Sequence, residues 1–269
     1  FKLKRIGLDG ICTEDFTGMA GMFEGCWALE ELDVSGLDTS KVEDMEAMFM
    51  GCQSLKALDV SGFNTGRVTN MEYMFECCAA LKALDVSGFH TDRVASMERM
   101  FGECSGLEVL DVSGFDTGRV VSMHDMFVNC KGLDALEVGG FNTERVRDFS
   151  GMFSDCHGLE TLDLSGWNTA NVEDMRNMFW SCQSIDNIDV SGWDTGKVKD
   201  MENMFNDCQL LYRLDLSNWD TSHVTNMRHM FANCTYAVEL LVTNWDVSSV
   251  EWMDGMFQGD SVLESKDAL

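Results

Sequence analysis

Hydrophobic and polar residues follow one pattern that recurs at constant spacing along the chain. A Met-Phe pair marks each repeat, and its phenylalanine returns every 26 residues, at Phe23, Phe49, Phe75, Phe101, Phe127, Phe153, Phe179, Phe205, Phe231 and Phe257. A fixed period of this length is typical of stacked repeats, each of which buries its apolar side against its neighbours. Because no interval is longer or shorter, we predict one domain over residues 1–269 without an inserted lid or linker.

Each repeat contains two apolar periodicities. The segment "LDVS" at residues 32–35 alternates apolar and polar positions, which predicts a short strand with one buried side. Between Val42 and Cys52 the apolar residues fall at i, i+3, i+6, i+7 and i+10, which predicts an amphipathic helix of roughly ten residues. The intervening Asp38-Thr39 pair is typical of a helix N-cap.

Stacking ten such units predicts a solenoid. Parallel strands lie about 4.8 Å apart, whereas packed helices need about 8 to 10 Å. The strand side is therefore expected to be concave and the helix side convex.

The repeat L-x-x-L-D-[VL]-S-[GN]-[FW]-[DN]-T-x-x-V-x-x-M-x-x-M-F-x-x-C resembles that of the BspA-like leucine-rich-repeat surface proteins, a type also found in mycoplasma surface lipoproteins. The resemblance covers nearly the whole chain. It implies a bacterial, cell-surface or secreted module that binds host or matrix proteins, with adhesion as the usual role and without enzymatic activity. The departures from the pattern are Phe149 for Met, Glu137 and Leu241 in the Asp column, Val247 for Thr and Asp260 for Cys.

With this resemblance, the predicted fold class is an α/β solenoid. We expect a leucine-rich-repeat-like, right-handed array of ten 26-residue strand-turn-helix coils, with a parallel concave sheet and convex short helices. The chain opens at Phe1 and shows no signal or anchor, so we expect it to be a fragment of a longer surface protein.

Charge narrows the class of partner. The formal net charge is −27, which disfavours nucleic acid and anionic membrane surfaces because both would be repelled. No apolar run is long enough to insert across a bilayer. The favoured partner is therefore a protein, with a basic surface as the matching chemistry.

The cysteines form a column at the end of the second apolar stripe: Cys26, Cys52, Cys78, Cys104, Cys130, Cys156, Cys182, Cys208 and Cys234. We expect them to be reduced and buried, as small residues between close-packed coils. Each would have two equivalent neighbours, which does not suit a disulfide framework. No C-x-x-C pair is present for zinc, and we predict no cofactor.

The strands carry a column of acidic residues, Asp33, Asp59, Asp85, Asp111, Glu137, Asp163, Asp189 and Asp215. Their alternation with buried residues predicts that they face the concave side, where like charges about 5 Å apart repel by roughly 1 kcal/mol even in water. Three arrangements would offset this repulsion. Hydrogen bonds to neighbouring serines are favoured, and a cationic partner or calcium are the alternatives.

A second outward column runs beside the acids. It consists of Glu31, Ala57, Ala83, Val109, Ala135, Thr161, Asn187, Arg213 and Glu239. Its small apolar middle is either the floor of a partner site or a tightly packed sheet. On the first interpretation, the candidate partner-binding residues are Asp59, Asp85, Asp111, Glu137, Asp163, Asp189, Asp215, Ala83, Val109, Ala135 and Arg213.

A basic column precedes the second stripe, at Lys41, Arg67, Arg93, Arg119, Arg145 and Lys197. We expect these cations to form weak surface pairs with acids such as Asp38 or Glu46. Binding of nucleic acid or glycosaminoglycan is the alternative.

No catalytic motif is present, and every candidate acid belongs to a repeated column, so we predict that the protein is not an enzyme. The first functional hypothesis is a surface module for protein binding or adhesion through its concave face. The second is a structural spacer or self-associating stalk segment, with the ligand site elsewhere in the full-length protein.

Overall fold

The computed structural model describes residues 3–8, 10–237 and 239–259. Its strands are β1 (Arg5–Ile6), β2 (Glu31–Leu32), β3 (Ala83–Leu84), β4 (Val109–Leu110), β5 (Arg213–Asp215) and β6 (Glu239–Leu241). They pair as β1 with β2, β3 with β4 and β5 with β6, all parallel and in a register of one repeat. Single bridges from Ala135 to Thr161 and from Asn187 to Arg213 lie in the same column. We call this column the first ladder, and number the coils by their phenylalanine, from Phe23 in coil 1 to Phe257 in coil 10.

The strand segments have the alternation that the sequence predicts. In coil 2, Leu32 and Val34 are buried while Glu31, Asp33 and Ser35 are exposed. We call the exposed side of the first ladder the strand face. The predicted parallel pairing between successive coils is confirmed.

The predicted helix is wrong, because the described residues contain no α-helix. They accordingly offer no helix that could cross a membrane. In coil 2 the Met48 amide donates to the Met45 carbonyl (3.3 Å) and the Cys52 amide to the Phe49 carbonyl (3.1 Å), which closes successive β-turns. The Phe49 amide instead donates to Met74 of the next coil, at 2.9 Å.

Left-handed backbone makes these turns possible. Ala47 has φ 52° and Gly51 has φ 75°, each at the third residue of a turn, where a type II turn requires positive φ. The equivalents recur in the other coils and include Asn177 and Asn203, residues that tolerate this region. We call residues 44–52 and their equivalents the turn ribbon.

A second parallel ladder runs along the start of the turn ribbon. Its bridges join Gly18, Asp44 and Asn70 in one run, and Ser96, Ser122, Asp148, Asp174, Asp200, Asn226 and Trp252 in another. The coils are therefore hydrogen-bonded to each other on two sides rather than one.

The distance between coils explains why no helix forms. Equivalent phenylalanine rings stack along the whole array with centroids 5.5 to 5.9 Å apart, as in Phe49 on Phe23 (5.5 Å) and Phe153 on Phe127 (5.9 Å). Packed helices need about 8 to 10 Å between axes, so coils this close leave no room for them. The predicted curvature assumed that helices on one side of the solenoid are spaced more widely than strands on the other. Without helices, that assumption no longer applies.

The threonine column is not a set of helix caps, which corrects a second expectation. The Thr39 hydroxyl donates to the carbonyl of Asn64 in the next coil (3.2 Å) and accepts from the Asn64 amide (2.7 Å). Thr143 and Asn168 repeat this arrangement. Threonine therefore links coil to coil, and is buried where it does so.

Two aromatic stacks fill the core. Behind the phenylalanine stack, a second column changes from Phe141 to Trp167, Trp193 and Trp219, with ring centroids 6.2 to 6.5 Å apart. The Trp167 indole donates to the Val138 carbonyl of the preceding coil at 3.1 Å. The predicted Met, Phe and Val columns are buried throughout coils 2 to 9.

Candidate partner-binding face

The strand-face aspartates are held by the serines two residues later. In coil 4 the Asp85 Oδ1 atom accepts a hydrogen bond from the Ser87 amide (3.0 Å) and another from its hydroxyl (2.7 Å). The same pair of bonds recurs at Asp59, Asp111, Asp163, Asp189 and Asp215.

These hydrogen bonds lower the pKa of each carboxyl. At Asp59 the Ser61 hydroxyl is the largest cause and its amide the next, while the negative charges of Asp85 and Asp33 act in the opposite direction. The pKa values of Asp85, Asp111 and Asp163 are lowered in the same way. The face therefore stays negatively charged at neutral pH. The predicted hydrogen bonds between the acidic column and its neighbouring serines are confirmed.

Glu137 departs from this arrangement together with its neighbour. The residue two positions later is Gly139, which has no hydroxyl to donate. A Cβ atom on Gly139 would lie 3.2 Å from the Asp163 Oδ2 atom of the next coil. The longer Glu137 side chain thus occupies a place where the aspartate-serine turn is absent.

Two shallow depressions bring part of the predicted site together. The first, of about 390 Å³, is lined by Ala135, Glu137, Asp163 and Asp189, with Asp186 added at its edge. The second, of about 250 Å³, is lined by Asp189, Arg213 and Asp215, among others. Asp59, Asp85, Asp111, Ala83 and Val109 are exposed on the same face but lie outside both depressions.

The second outward column is solvent-accessible over its apolar middle. Val109 is 66% exposed, which is high for a branched aliphatic side chain, and Ala83 and Ala135 are exposed beside it. Arg213 is engaged within the face, since its Nε donates to Glu239 at 2.8 Å and its guanidinium lies 3.8 Å from Asp215.

An apolar group that is not among the candidate residues predicted from the sequence lies at one side of this face. Leu210, Tyr212 and Tyr236 are 45%, 57% and 62% exposed. The Tyr212 amide donates to the carbonyl of Asp186, so this tyrosine lies beside the acidic depression. The available signal was the change of residue type, because the Tyr212 column carries charged residues in coils 2 to 8.

The cysteine column is buried and reduced, as predicted, except that Cys26 in coil 1 is only half-buried. Each buried thiol from Cys52 to Cys234 donates to a phenylalanine carbonyl of the preceding coil, for example Cys104 Sγ to Phe75 O at 3.0 Å. Burial raises the pKa of Cys104 to about 12, so the thiol keeps its proton. Within the described residues, no three or more His, Cys, Asp or Glu side chains are placed to hold a metal ion.

The basic column is only partly paired, which corrects the expectation of acids at Asp38 or Glu46. Lys41 pairs with Asp15 at 2.7 Å and Arg67 with Glu43 at 3.4 Å, while Lys197 bonds Asn171. Over the described part of the chain, Arg93, Arg119 and Arg145 form no ion pair or hydrogen bond through their side chains.

Comparison with known proteins gives a family and several distant structures. The profile of DUF285, described as a Mycoplasma protein of unknown function, matches residues 17–131, 104–214 and 201–267. This match confirms the resemblance to a repeat type found in mycoplasma proteins. No curated protein matches.

Solved structures of bacterial leucine-rich-repeat proteins are similar at low identity. A protein from Bacteroides ovatus is 15% identical, with 96% of this chain and 76% of that one covered and a TM-score of 0.36. One from Eubacterium ventriosum is 14% identical, with 94% and 82% covered and a TM-score of 0.41. A leucine-rich cell surface protein from Faecalibacterium prausnitzii is 16% identical, with 86% and 76% covered and a TM-score of 0.35.

Proposed function

We propose that this chain, which belongs to the DUF285 family of Mycoplasma proteins of unknown function, is a non-enzymatic module that binds a protein partner through its strand face. The observation that carries the proposal is the acidic depression lined by Glu137, Asp163 and Asp189, which lies beside exposed apolar side chains. A partner with a basic surface patch matches this chemistry. We also propose a location at the cell surface or outside the cell, as the repeat type implies.

Fixed negative charge and desolvatable area favour binding in different ways. Charges steer a basic partner toward the face and accelerate association, more so at low salt. Apolar and aromatic side chains slow dissociation, because aromatic residues dominate the energetics of most protein interfaces. Tyr212 and Val109 supply such area on either side of the depression.

The alternative is a structural spacer, in which the face would have no ligand. A spacer needs the buried columns and the coil-to-coil hydrogen bonds, but no exposed tyrosine at a position that other coils fill with charged residues. The exposure of Tyr212 therefore supports the binding proposal.

The test begins with an array of extracellular-matrix and host proteins probed with this chain. For a protein that binds, the chain with Asp163, Asp189 and Asp215 all changed to Asn is compared with the parent, because these three aspartates line the two depressions. We expect association to slow about tenfold or more, because three charges of the steering field are lost. The substitution preserves size, and the Asn side-chain oxygen can still accept from the serine amide.

The matched control changes Asp38, Asp116 and Asp194 to Asn. These three accept the amide of the residue two positions later, at 2.9 to 3.0 Å, just as the strand-face aspartates do. Asn64, Asn142 and Asn168 already occupy their column, so the fold should accept the change. Equal slowing by both triple variants would contradict the strand-face site, and absence of binding across the array would favour the spacer.

A further inference from the structure

Four consecutive coils carry an exposed arginine at the same position. These are Arg67, Arg93, Arg119 and Arg145, in coils 3 to 6, and we call them the arginine comb. They lie at one edge of the second ladder, where the Val121 amide donates to Ala95 at 2.9 Å and the Arg147 amide to Val121 at 2.9 Å. This pairing places the backbones of successive arginines in the comb about 4.8 Å apart.

The comb is unusual because most of its charges are not neutralised. Lys41, in the same column, is bonded to Asp15 at 2.7 Å, and Arg67 has Glu43 at 3.4 Å. The side chains of Arg93, Arg119 and Arg145 have neither an ion pair nor a hydrogen bond among the described residues. Like charges at this spacing repel by roughly 1 kcal/mol each even in water, so a bound anion would relieve the arrangement.

The column next to the arginine comb contains no acidic residue in coils 3 to 6. Two residues after each arginine stand Thr69, Ala95, Val121 and Arg147. Outside the comb, the same column carries Glu43, Glu173 and Glu251, and also Lys199 and Thr225. In a chain with a net charge of −27, this gives a local surface of opposite sign.

Three acids do remain in the turns on the other side, at Asp92, Asp116 and Glu144. Within the described residues none of them lies in ion-pair contact with an arginine of the comb. Asp116 is turned toward the backbone, since its Oδ1 accepts from the Gly118 amide at 3.0 Å. The guanidinium groups are therefore the groups that an approaching anion would meet.

We propose that the arginine comb binds a linear sulfated polysaccharide, with one anionic group held by each coil. A guanidinium group presents a planar set of donors that matches the oxyanion of a sulfate or carboxylate. A row of evenly spaced guanidiniums suits a polymer with an anion at each sugar better than an isolated ion. This site is separate from the strand face and does not depend on the proposed protein partner.

Nucleic acid fits the comb less well. Binding sites for single strands combine basic grooves with aromatic side chains on which bases stack. The positions between and beside the comb are Thr69, Ala95 and Val121 instead. The overall negative charge also disfavours the dense phosphates of a duplex more than the sparser charges of a polysaccharide.

The test uses a fluorescein-labelled heparin oligosaccharide and fluorescence anisotropy at low salt. For the variant with Arg93→Gln and Arg119→Gln, we expect at least tenfold weaker binding and a salt dependence reduced by about two counterions. Both side chains are exposed and form no ion pair or hydrogen bond among the described residues, so the variant should keep the parent circular dichroism spectrum and Tm. A variant with lysine at both positions should retain most of the binding.

The control changes Lys56 and Lys82 to Gln, which alters the net charge equally from exposed positions before the strands. It should leave heparin binding within about twofold of the parent. Equal weakening by the two double variants, or no measurable binding by the parent, would overturn the comb as a site. Tighter binding to single-stranded DNA of matched charge than to heparin would also overturn it, and desulfated heparin should bind weakly.

Discussion

At the scale of single residues, Asp174 shows how stacking alters an ordinary carboxylate. It bridges Asp148 on one side and Asp200 on the other in the second ladder, and its side chain is 23% exposed. Burial is the largest cause that raises its pKa, to about 6, with the charges of Asp148 and Asp200 adding to the effect. The Arg176 amide and guanidinium act against it.

The raised pKa of Asp174 makes its contribution to folding stability depend on pH. The folded state holds the Asp174 proton more tightly than the unfolded chain, so this residue favours folding below its ordinary pKa of 3.8. That contribution is lost as the pH rises through about 6, where the buried group ionises. At neutral pH, the ionised Asp174 therefore lowers the stability of the array.

We expect Asp174→Asn to raise the free energy of unfolding by about 1 kcal/mol at about pH 8, and by much less at about pH 4.5. Asn70 and Asn226 occupy the same column and accept the amide two residues later, at 3.0 and 3.2 Å, so asparagine fits. Urea denaturation at the two pH values measures the difference. Asp59→Asn is the control of opposite sign, since its pKa is lowered, and an unchanged gain at both pH values would contradict the assignment.

The cysteines give a second prediction for individual residues. With native protein, a thiol reagent should label exposed Cys12 quickly and half-buried Cys26 and Cys77 more slowly. The other eight are buried and protonated, and should react only when the array opens. After denaturation without reductant, all eleven should react, and mass spectrometry can count them. Fewer free thiols in the denatured, unreduced protein would indicate disulfides between coils.

At the scale of elements, the turn ribbon explains a limit of sequence reasoning. The spacing from Val42 to Cys52 fits a helix of 3.6 residues per turn, but it also fits successive turns of three to four residues. Apolar periodicity alone does not distinguish them. The residue types at the positions of positive φ do distinguish a helix from successive turns, because Gly151, Asn177, Asn203 and Gly255 recur in the column of Ala47.

The strand and its outward residues were predictable because alternation has one simple structural cause. Leu32 and Val34 face the core, and Asp33 must then face solvent. The pairing of each aspartate with the serine two residues later also follows from the sequence. The depressions beside Asp186 and Tyr212 were not predictable, because they depend on which side chains of neighbouring coils leave space.

The turn ribbon predicts a circular dichroism spectrum of β-structure and turns, without the double minimum of α-helices. It also predicts that Ala47→Gly stabilises the array by roughly 0.5 to 1 kcal/mol, because glycine adopts positive φ without strain. Ala57→Gly is the control at an exposed strand-face position outside the left-handed set, and it should destabilise. Thermal unfolding compares them, and a loss of stability at both positions would contradict the turn geometry.

At the scale of the whole molecule, stability is distributed along the stack. Each coil contacts the coil before and after it through two backbone ladders, the threonine links, the thiol donors and the phenylalanine stack. Stability in such an array is approximately a sum of units and of interfaces between neighbours. Two faces of opposite local charge can then extend over several coils without interrupting the core.

The same reasoning predicts that one whole coil can be removed. Deletion of residues 161–186 joins Glu160 to Asn187, which restores every column in register because the period is 26 residues. The Phe153 ring would then stack on the ring of Phe205, in place of Phe179. We expect a protein that unfolds cooperatively with a slightly lower urea midpoint, since one interface is lost. Deletion of residues 161–173 is the matched control, because half a repeat places polar positions in the core columns. If the half-repeat deletion were as stable as the whole-repeat deletion, the coils would not be interchangeable units of the stack.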